Sequence, residues 1–497
     1  MSADKKKTAE PAGHGSPHDS HAHEHHPENW VMSGPWANAW KIFAVIGVIG
    51  LAGAAFGFTT DARRFAFSWL FAFITCLAIA LGSIFFVLVQ HLTSAGWSVT
   101  VRRTAEFFSY GILALIPLFI PILLCMGHLF PWVDGGHGAE AENASGGHHS
   151  SLQLVAPAHA QEHAAPHAAP AAAPAAAAGH APAAAAAGAP ADHAAPHGNG
   201  TQAQEHATHE AHQLIHSEVM SKKSAYLNKT FFYIRALLYF LIWTVLAVRL
   251  FGLSAQQDSS KDPKLTVRAQ AFAPGATLLF ALSLTFAAFD WIMALEPSWF
   301  STIFGVYYFA TGVVSSYAVI ILVTMALRTS GPLAGAVTPE HYHDLGKLMF
   351  GFLVFWAYIG FSQFMLIWYA ALPEETTWYH NRWDFGPWAK VSMAILIGHF
   401  VIPFFWLMSR NFKRNLGRLQ IGAGILLVMH VVDIYWFVMP NYKLASDDFS
   451  FNPLIDISCL LAVGGIYGAF VFYRMTKHFL VPVGDPRLER SLHFQNA

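Results

Sequence analysis

The chain is 497 residues long, 54% hydrophobic and only 12% charged, with a mean hydropathy of +0.39 and a formal net charge of −1. A soluble domain carries about a quarter charged residues, so the composition excludes an ordinary soluble fold, and near-neutrality leaves no footprint for a polyanion such as nucleic acid. Cys76, Cys125 and Cys459 each stand alone in an apolar run without CxxC spacing, which argues against a cysteine-ligated iron–sulfur cluster, c-type haem attachment or zinc site in this chain.

Residues 1–40 hold Lys5, Lys6 and Lys7, six histidines and several acids around no apolar core. They read as a His-rich disordered tail rather than a cleaved secretory signal. Ten apolar runs follow, at about 41–59, 66–93, 104–129, 230–252, 270–295, 303–329, 345–372, 390–409, 419–438 and 454–475. Each approaches or exceeds the length a helix needs to cross hydrocarbon. The fold class expected is therefore all-α, a polytopic integral membrane protein with about ten transmembrane helices. Segment 41–133 carries helices 1–3, segment 226–478 carries helices 4–10, and 479–497 is expected to be a cytoplasmic tail.

Between the third and fourth spans, residues 134–225 form an Ala/Pro/His-rich insert. Its runs, such as 168–174, lack the apolar period needed to bury a core, and disorder is expected. Thirteen of the 28 histidines fall in this insert and six in the N-terminal tail, so most imidazoles lie outside the spans. A soluble linker binding metal loosely is the plain reading; metal buffering or pH response is the sharper one.

An even number of spans puts both termini on one side. The short loops and ends on that side hold Arg102, Arg103, Lys261, Lys264, Arg268, Arg328, Arg410, Lys413, Arg414, Arg418, Arg474 and Lys477. Opposite them stand Arg63, Arg64, Arg382 and Lys443, diluted by acids such as Asp61, Glu296, Glu374 and Glu375. The positive-inside rule then places both termini in the cytoplasm and the insert outside.

The stretch 289–308 joins two spans and contains Asp290 and Glu296 but no Lys or Arg. Asp290 lies about six residues, roughly 9 Å, inside the end of its helix, where an isolated carboxylate costs roughly 2.5–3.5 kcal/mol. Gln363, Asp456, His128 and the pair His430 and Asp433, three apart on one helical face, are expected at similar outer depth. Gln90, His91 and Glu106 mark the inner side, and His399 sits near the middle of its span as a candidate midpoint. Carboxylate and imidazole accept protons at accessible pH. Asp290, His430, Asp433, His399, Gln90, His91 and Glu106 are thus proton-path candidates. Glu296, Gln363, Asp456 and His128 are quinol-site or structural polar groups.

Plainer readings stand beside these. A lone intramembrane His or Gln more often bonds a neighbouring helix, and Glu296, Glu106 and Asp456 lie close enough to span ends to be interfacial. Trp291, Trp299, Tyr307, Tyr308, Trp378 and Trp383 fit an interfacial aromatic belt, with stacking on a quinone ring as the alternative. His91, His128, His399 and His430 offer no convincing axial pair for a b-type haem.

Three stretches carry a family resemblance: 81–106 (LGSIFFVLVQHLTSAGWSVTVRRTAE), 290–308 (DWIMALEPSWFSTIFGVYY) and 361–379 (FSQFMLIWYAALPEETTWY). Together they resemble the large membrane subunits of bacterial alternative complex III, in particular its shorter, ActF-type subunit, a relative of the NrfD/PsrC membrane anchors. The resemblance covers about 35–130 and 225–480. It implies two four-helix bundles, spans 2–5 and 6–9, flanked by spans 1 and 10. It also implies a subunit of a quinol:cytochrome c oxidoreductase in the bacterial inner membrane. The partners implied are a homologous larger membrane subunit, an iron–sulfur protein, and multihaem and monohaem cytochrome c subunits. No cofactor is expected to be covalently bound, and no haem or iron–sulfur cluster is expected in this chain; a quinone such as menaquinone is the ligand implied. The expected role is scaffold and proton route, with direct quinol binding as the alternative. A stand-alone secondary transporter would call for inverted repeats or paired broken helices; neither is evident, although Pro117 and Pro121 interrupt span three.

Overall fold

The computed structural model describes residues 30–133, 220–329, 331–383, 386–442 and 451–495. Most of the His-rich tail and of the 134–225 insert therefore lies outside the described residues. Two compact units divide the chain: Met1–Gly138 with Lys222–Ala497, which holds all the helices below, and Ala139–Ser221, of which only 220 and 221 are described.

Among the described residues, ten helices are long and apolar enough to cross a membrane. They are α1 (Gly34–Thr60), α2 (Ala62–Leu92), α3 (Val99–Leu124), α4 (Lys229–Ser260), α5 (Pro263–Leu295), α6 (Phe304–Thr329), α7 (Pro339–Ala370), α8 (Pro387–Met408), α9 (Leu416–Asn441) and α10 (Pro453–Met475). No strand occurs among the described residues. The expected all-α, ten-helix membrane fold is what forms.

Several helices outrun their apolar cores because local chemistry caps them further out. Asp262 accepts from the Lys264 amide and Pro263 opens α5, while the Asn228 side chain accepts from Phe231 N ahead of α4. Each satisfies an amide that the first helical turn leaves unpaired. α3 begins five residues before its expected start because Arg102 and Arg103 are neutralised in place rather than left to end the helix. Arg102 Nε lies 2.9 Å from Glu106 Oε1, and Arg103 Nε 3.0 Å from Glu106 Oε2.

Helices α2–α5 pack as one ring of four and α6–α9 as a second. α1 pairs with α10, which rests on α2, and α2 and α6 join the two rings. Lipid offers no hydrophobic drive for such pairing, so close backbone approach has to supply it. At the α2/α6 seam a Cβ on Gly82 would fall 2.3 Å from Gly312 O, and Ser83 and Ser316 hydroxyls meet at 2.9 Å. Between α1 and α10 a Cβ on Gly50 would fall 2.2 Å from Ala462 N.

The C-terminal segment expected as a tail folds back as a layer over the ends of α2, α3 and α4, here termed the basic face. Leu480 N donates to Trp30 O at 2.9 Å, Arg102 meets Asp485 at 2.8 Å, and Ser491 Oγ donates to Trp97 O at 2.6 Å. Leu480, Val481 and Leu488 are buried beneath it. Burial alone would raise the Asp485 carboxyl, yet Arg102 and Arg487 hold it well below the usual carboxylate range.

Candidate functional site: a buried His–Asp pair behind an apolar cavity

Proline shapes the site. Pro403 has no N–H for the carbonyl one turn back, and its ring crowds that carbonyl, which belongs to His399. The preceding segment Leu396–Val401 widens into a π-helix, the usual local answer to such a conflict and one frequent at functional sites. His399, inside that bulge, is turned into the α6–α9 ring.

Its ring stacks on Trp356 of α7, centroids 4.1 Å apart and planes at 27°. The Trp356 indole N–H donates to Asp433 Oδ2 of α9 at 3.1 Å. His399 Nδ1 lies 3.9 Å from the same oxygen, too far for a direct hydrogen bond. His430, one turn from Asp433, is satisfied differently: its Nε2 lies 3.3 Å from Thr75 O and its Nδ1 3.2 Å from Thr311 Oγ1. A carbonyl only accepts, so Nε2 carries the proton and Nδ1 accepts from the threonine in the neutral form. His399, His430 and Asp433 are all fully buried. Among the described residues both ring nitrogens of His399 and Oδ1 of Asp433 have no hydrogen-bond partner. Leaving such groups unpaired costs about 1–3 kcal/mol each, so the arrangement needs a reason beyond packing.

In front of Trp356 lies a cavity of about 560 Å³ between α7 and α8, within the range of small-molecule sites. Trp356, Tyr307, Gly360, Tyr379, Ser392 and Trp436 line its depth, while Tyr358, Phe361 and Leu396 at its mouth are exposed on the outer surface of the ring. An apolar ring entering from lipid would reach Trp356, whose far edge holds Asp433.

The sequence candidates sort accordingly. His399, His430 and Asp433 come together at one level; the assignment of His430 and Asp433 to the outer side and His399 to a separate midpoint is corrected. Asp290 stands apart from them. Arg235 of α4 grips it through Nε at 2.7 Å and Nη2 at 3.0 Å, and Tyr239 donates at 2.8 Å. The 289–308 stretch has no cation of its own, but another helix supplies one, and Asp290 is geometrically an ion-pair anchor. Asp456 is likewise bound by Arg64, whose Nε donates at 3.0 Å, with Tyr435 donating at 3.1 Å. Gln363 accepts from Ser301 at 3.0 Å and donates to Tyr379 Oη at 3.1 Å. His128 is exposed beside the end of α3.

Glu106 belongs to the lattice of the basic face with Arg102 and Arg103, the latter also on Asp258 at 2.8 Å. Gln90 and His91 are buried there. His91 follows Thr75 by sixteen residues on α2, about 24 Å at 1.5 Å per residue; the inner candidates do not touch the His399 cluster.

Glu296 closes the turn after α5, its amide donating to Met293 O at 3.1 Å. Across from it Arg382, in the short helix Pro373–Trp383, is fully buried and donates to the carbonyls of Trp378, Trp436 and Phe437 at 2.9–3.2 Å. Burial pulls its guanidinium to about 9, still charged at neutral pH, with Glu296 opposing the fall. The aromatic-belt reading fails for five of its six members. Trp291, Trp299, Tyr307, Tyr308 and Trp378 are interior, Trp299 stacking on Trp378 at 4.7 Å, and only Trp383 is exposed. Each ring fills a gap between helices rather than meeting a headgroup.

Trp356, Tyr307 and Thr311 were not singled out for the cluster by sequence reasoning. Their signal was weak: an aromatic or hydroxyl residue in an apolar span reads as packing. No protein-family model matches the chain, and no curated protein matches it in sequence.

Proposed function

We propose that the chain is a membrane subunit of a bacterial quinol-oxidising respiratory complex of the alternative complex III kind. In this reading the α6–α9 ring receives the quinol head through the α7/α8 opening, and the His399–Asp433 pair takes up its protons. One observation carries it: a lipid-facing apolar cavity whose back wall, Trp356, is hydrogen-bonded to a buried and otherwise half-unpaired carboxylate. That conjunction favours direct quinol binding over a purely scaffolding role. The resemblance of the three sequence stretches supplies the complex and its setting. Electrons would leave to iron–sulfur and haem centres of partner subunits, and the termini would face the cytoplasm of a cell with an inner membrane.

Purification of the full chain from its native membrane in mild detergent tests the class. The reading expects haem-bearing and iron–sulfur subunits to co-purify with quinol:acceptor turnover. A monomer without redox partners that drives solute uptake in vesicles would instead identify a transporter. Within the complex, Asp433→Asn keeps an acceptor for Trp356 but removes the base. Turnover should fall about 10²–10⁴-fold while assembly is unchanged; full turnover would remove Asp433 from the mechanism.

A further inference from the structure

Several polar groups deep in the cavity are already committed. Trp356 donates to Asp433, Trp436 donates to Ser392, and Ser392 donates to Arg382 O. Tyr379 Oη already accepts from Gln363. Tyr307 differs: it is 5% exposed, it lines the cavity, and among the described residues its hydroxyl has no hydrogen bond. The ring is buried, but its oxygen opens onto the cavity, where a ligand could pair with it. Its ring is held rigidly, 5.9 Å from Trp356 and 5.0 Å edge-on to Phe437. The space over the hydroxyl is kept by Gly360, where a Cβ would stand 3.2 Å from Tyr307 Oη. Asp433, whose Oδ1 is the unpaired oxygen, lies within electrostatic range of this phenol.

We infer that the Tyr307 hydroxyl is the polar contact for a hydroxyl-bearing ring in this cavity and passes that ring's proton to Asp433. The inference rests on the quinol reading above. The ring's O–H bond breaks as its proton joins Tyr307 Oη, while the proton already on Tyr307 passes through an intervening water to Asp433 Oδ1. The net change is ring hydroxyl plus carboxylate giving ring oxyanion plus carboxylic acid. One electron then leaves to an iron–sulfur or haem acceptor of a partner subunit, giving a neutral half-oxidised ring that still holds its second hydroxyl proton. His399, beside Asp433, is placed to take the proton onward.

Tyr307→Phe in the purified complex removes only the oxygen. Because that oxygen has no hydrogen bond, the melting temperature should hold. Quinone retention and KM should weaken by no more than about tenfold, the worth of one hydrogen bond, while kcat falls by about 10²-fold. Gly360→Val should instead empty the cavity, lowering retained quinone and raising KM. Unchanged kcat in Tyr307→Phe would overturn the inference, as would a parallel loss of retained quinone and turnover, which marks a binding contact alone. If neither variant alters retained quinone or turnover, the cavity is not the quinol site, and the functional reading falls along with the role of Tyr307.

Discussion

Replacing Asp290 by Asn separates a structural anchor from a catalytic acid. The carboxylate accepts two hydrogen bonds from Arg235 and one from Tyr239, and both partners of the ion pair are buried. Neutralising it strands the guanidinium, and breaking a buried pair costs about 3–5 kcal/mol. Part of that loss is offset, because Arg235 also sits 3.9 Å over the Tyr226 ring and 4.3 Å over Phe231. Two such contacts together recover about 1–2 kcal/mol. The expected net loss is therefore about 3 kcal/mol. Arg235→Met should cost a similar amount. The double variant Arg235→Met with Asp290→Leu should return to within about 1 kcal/mol of the parent, since apolar replacement of a whole buried pair is often neutral. Unfolding of the purified protein in mixed micelles, followed by fluorescence of buried tryptophans such as Trp291, measures all three. Refutation is a stable Asp290→Asn protein with lost turnover that the double variant fails to restore; Asp290 would then be acting on protons.

Two further outcomes follow from packing and charge. Gly82→Val drives a side chain into Gly312 O at the α2/α6 seam; overpacking of this kind costs about 1–3 kcal/mol or more, read as a lower unfolding midpoint, whereas the same change at Gly275, where a Cβ meets nothing within 4 Å, should be mild. At the basic face, burial together with Arg474 and Arg103 holds the His478 imidazole at about 4. Its protonation is therefore disfavoured in the fold: stability is fully present above the unfolded value near 6.5 and declines as pH drops from there toward 4. His478→Gln should flatten the melting-temperature profile over that window, and an unchanged slope would place the acid sensitivity elsewhere.

Hydropathy and length made the ten helices legible, since lipid imposes one secondary structure on an apolar run of twenty residues. The helix ends were less so. Arg102 and Arg103 look like the end of a span until Glu106, Asp258 and Asp485 are seen to neutralise them inside it. Asp290 was visible as an energetic anomaly, but its explanation, Arg235, lies fifty-five residues away in another apolar run. His430 and Asp433 were paired by helical spacing. Their link to His399 depends on a proline-induced bulge and on Trp356, neither of which leaves a periodic trace. The cavity is bounded by residues of α6, α7, α8 and α9 together with Tyr379 and Trp383, and no local pattern in any one helix encodes a gap between them.

The central claim is that a quinol head enters between α7 and α8 and stops at Trp356 and Tyr307. Illumination of the intact complex with a photoreactive quinone, followed by peptide mapping, tests this directly. Adducts should concentrate on residues 354–364 and 392–400, be displaced by excess unlabelled quinone, and diminish in Gly360→Val. Displaceable labelling confined to other helices, or to partner subunits with this chain unmarked, would contradict the account.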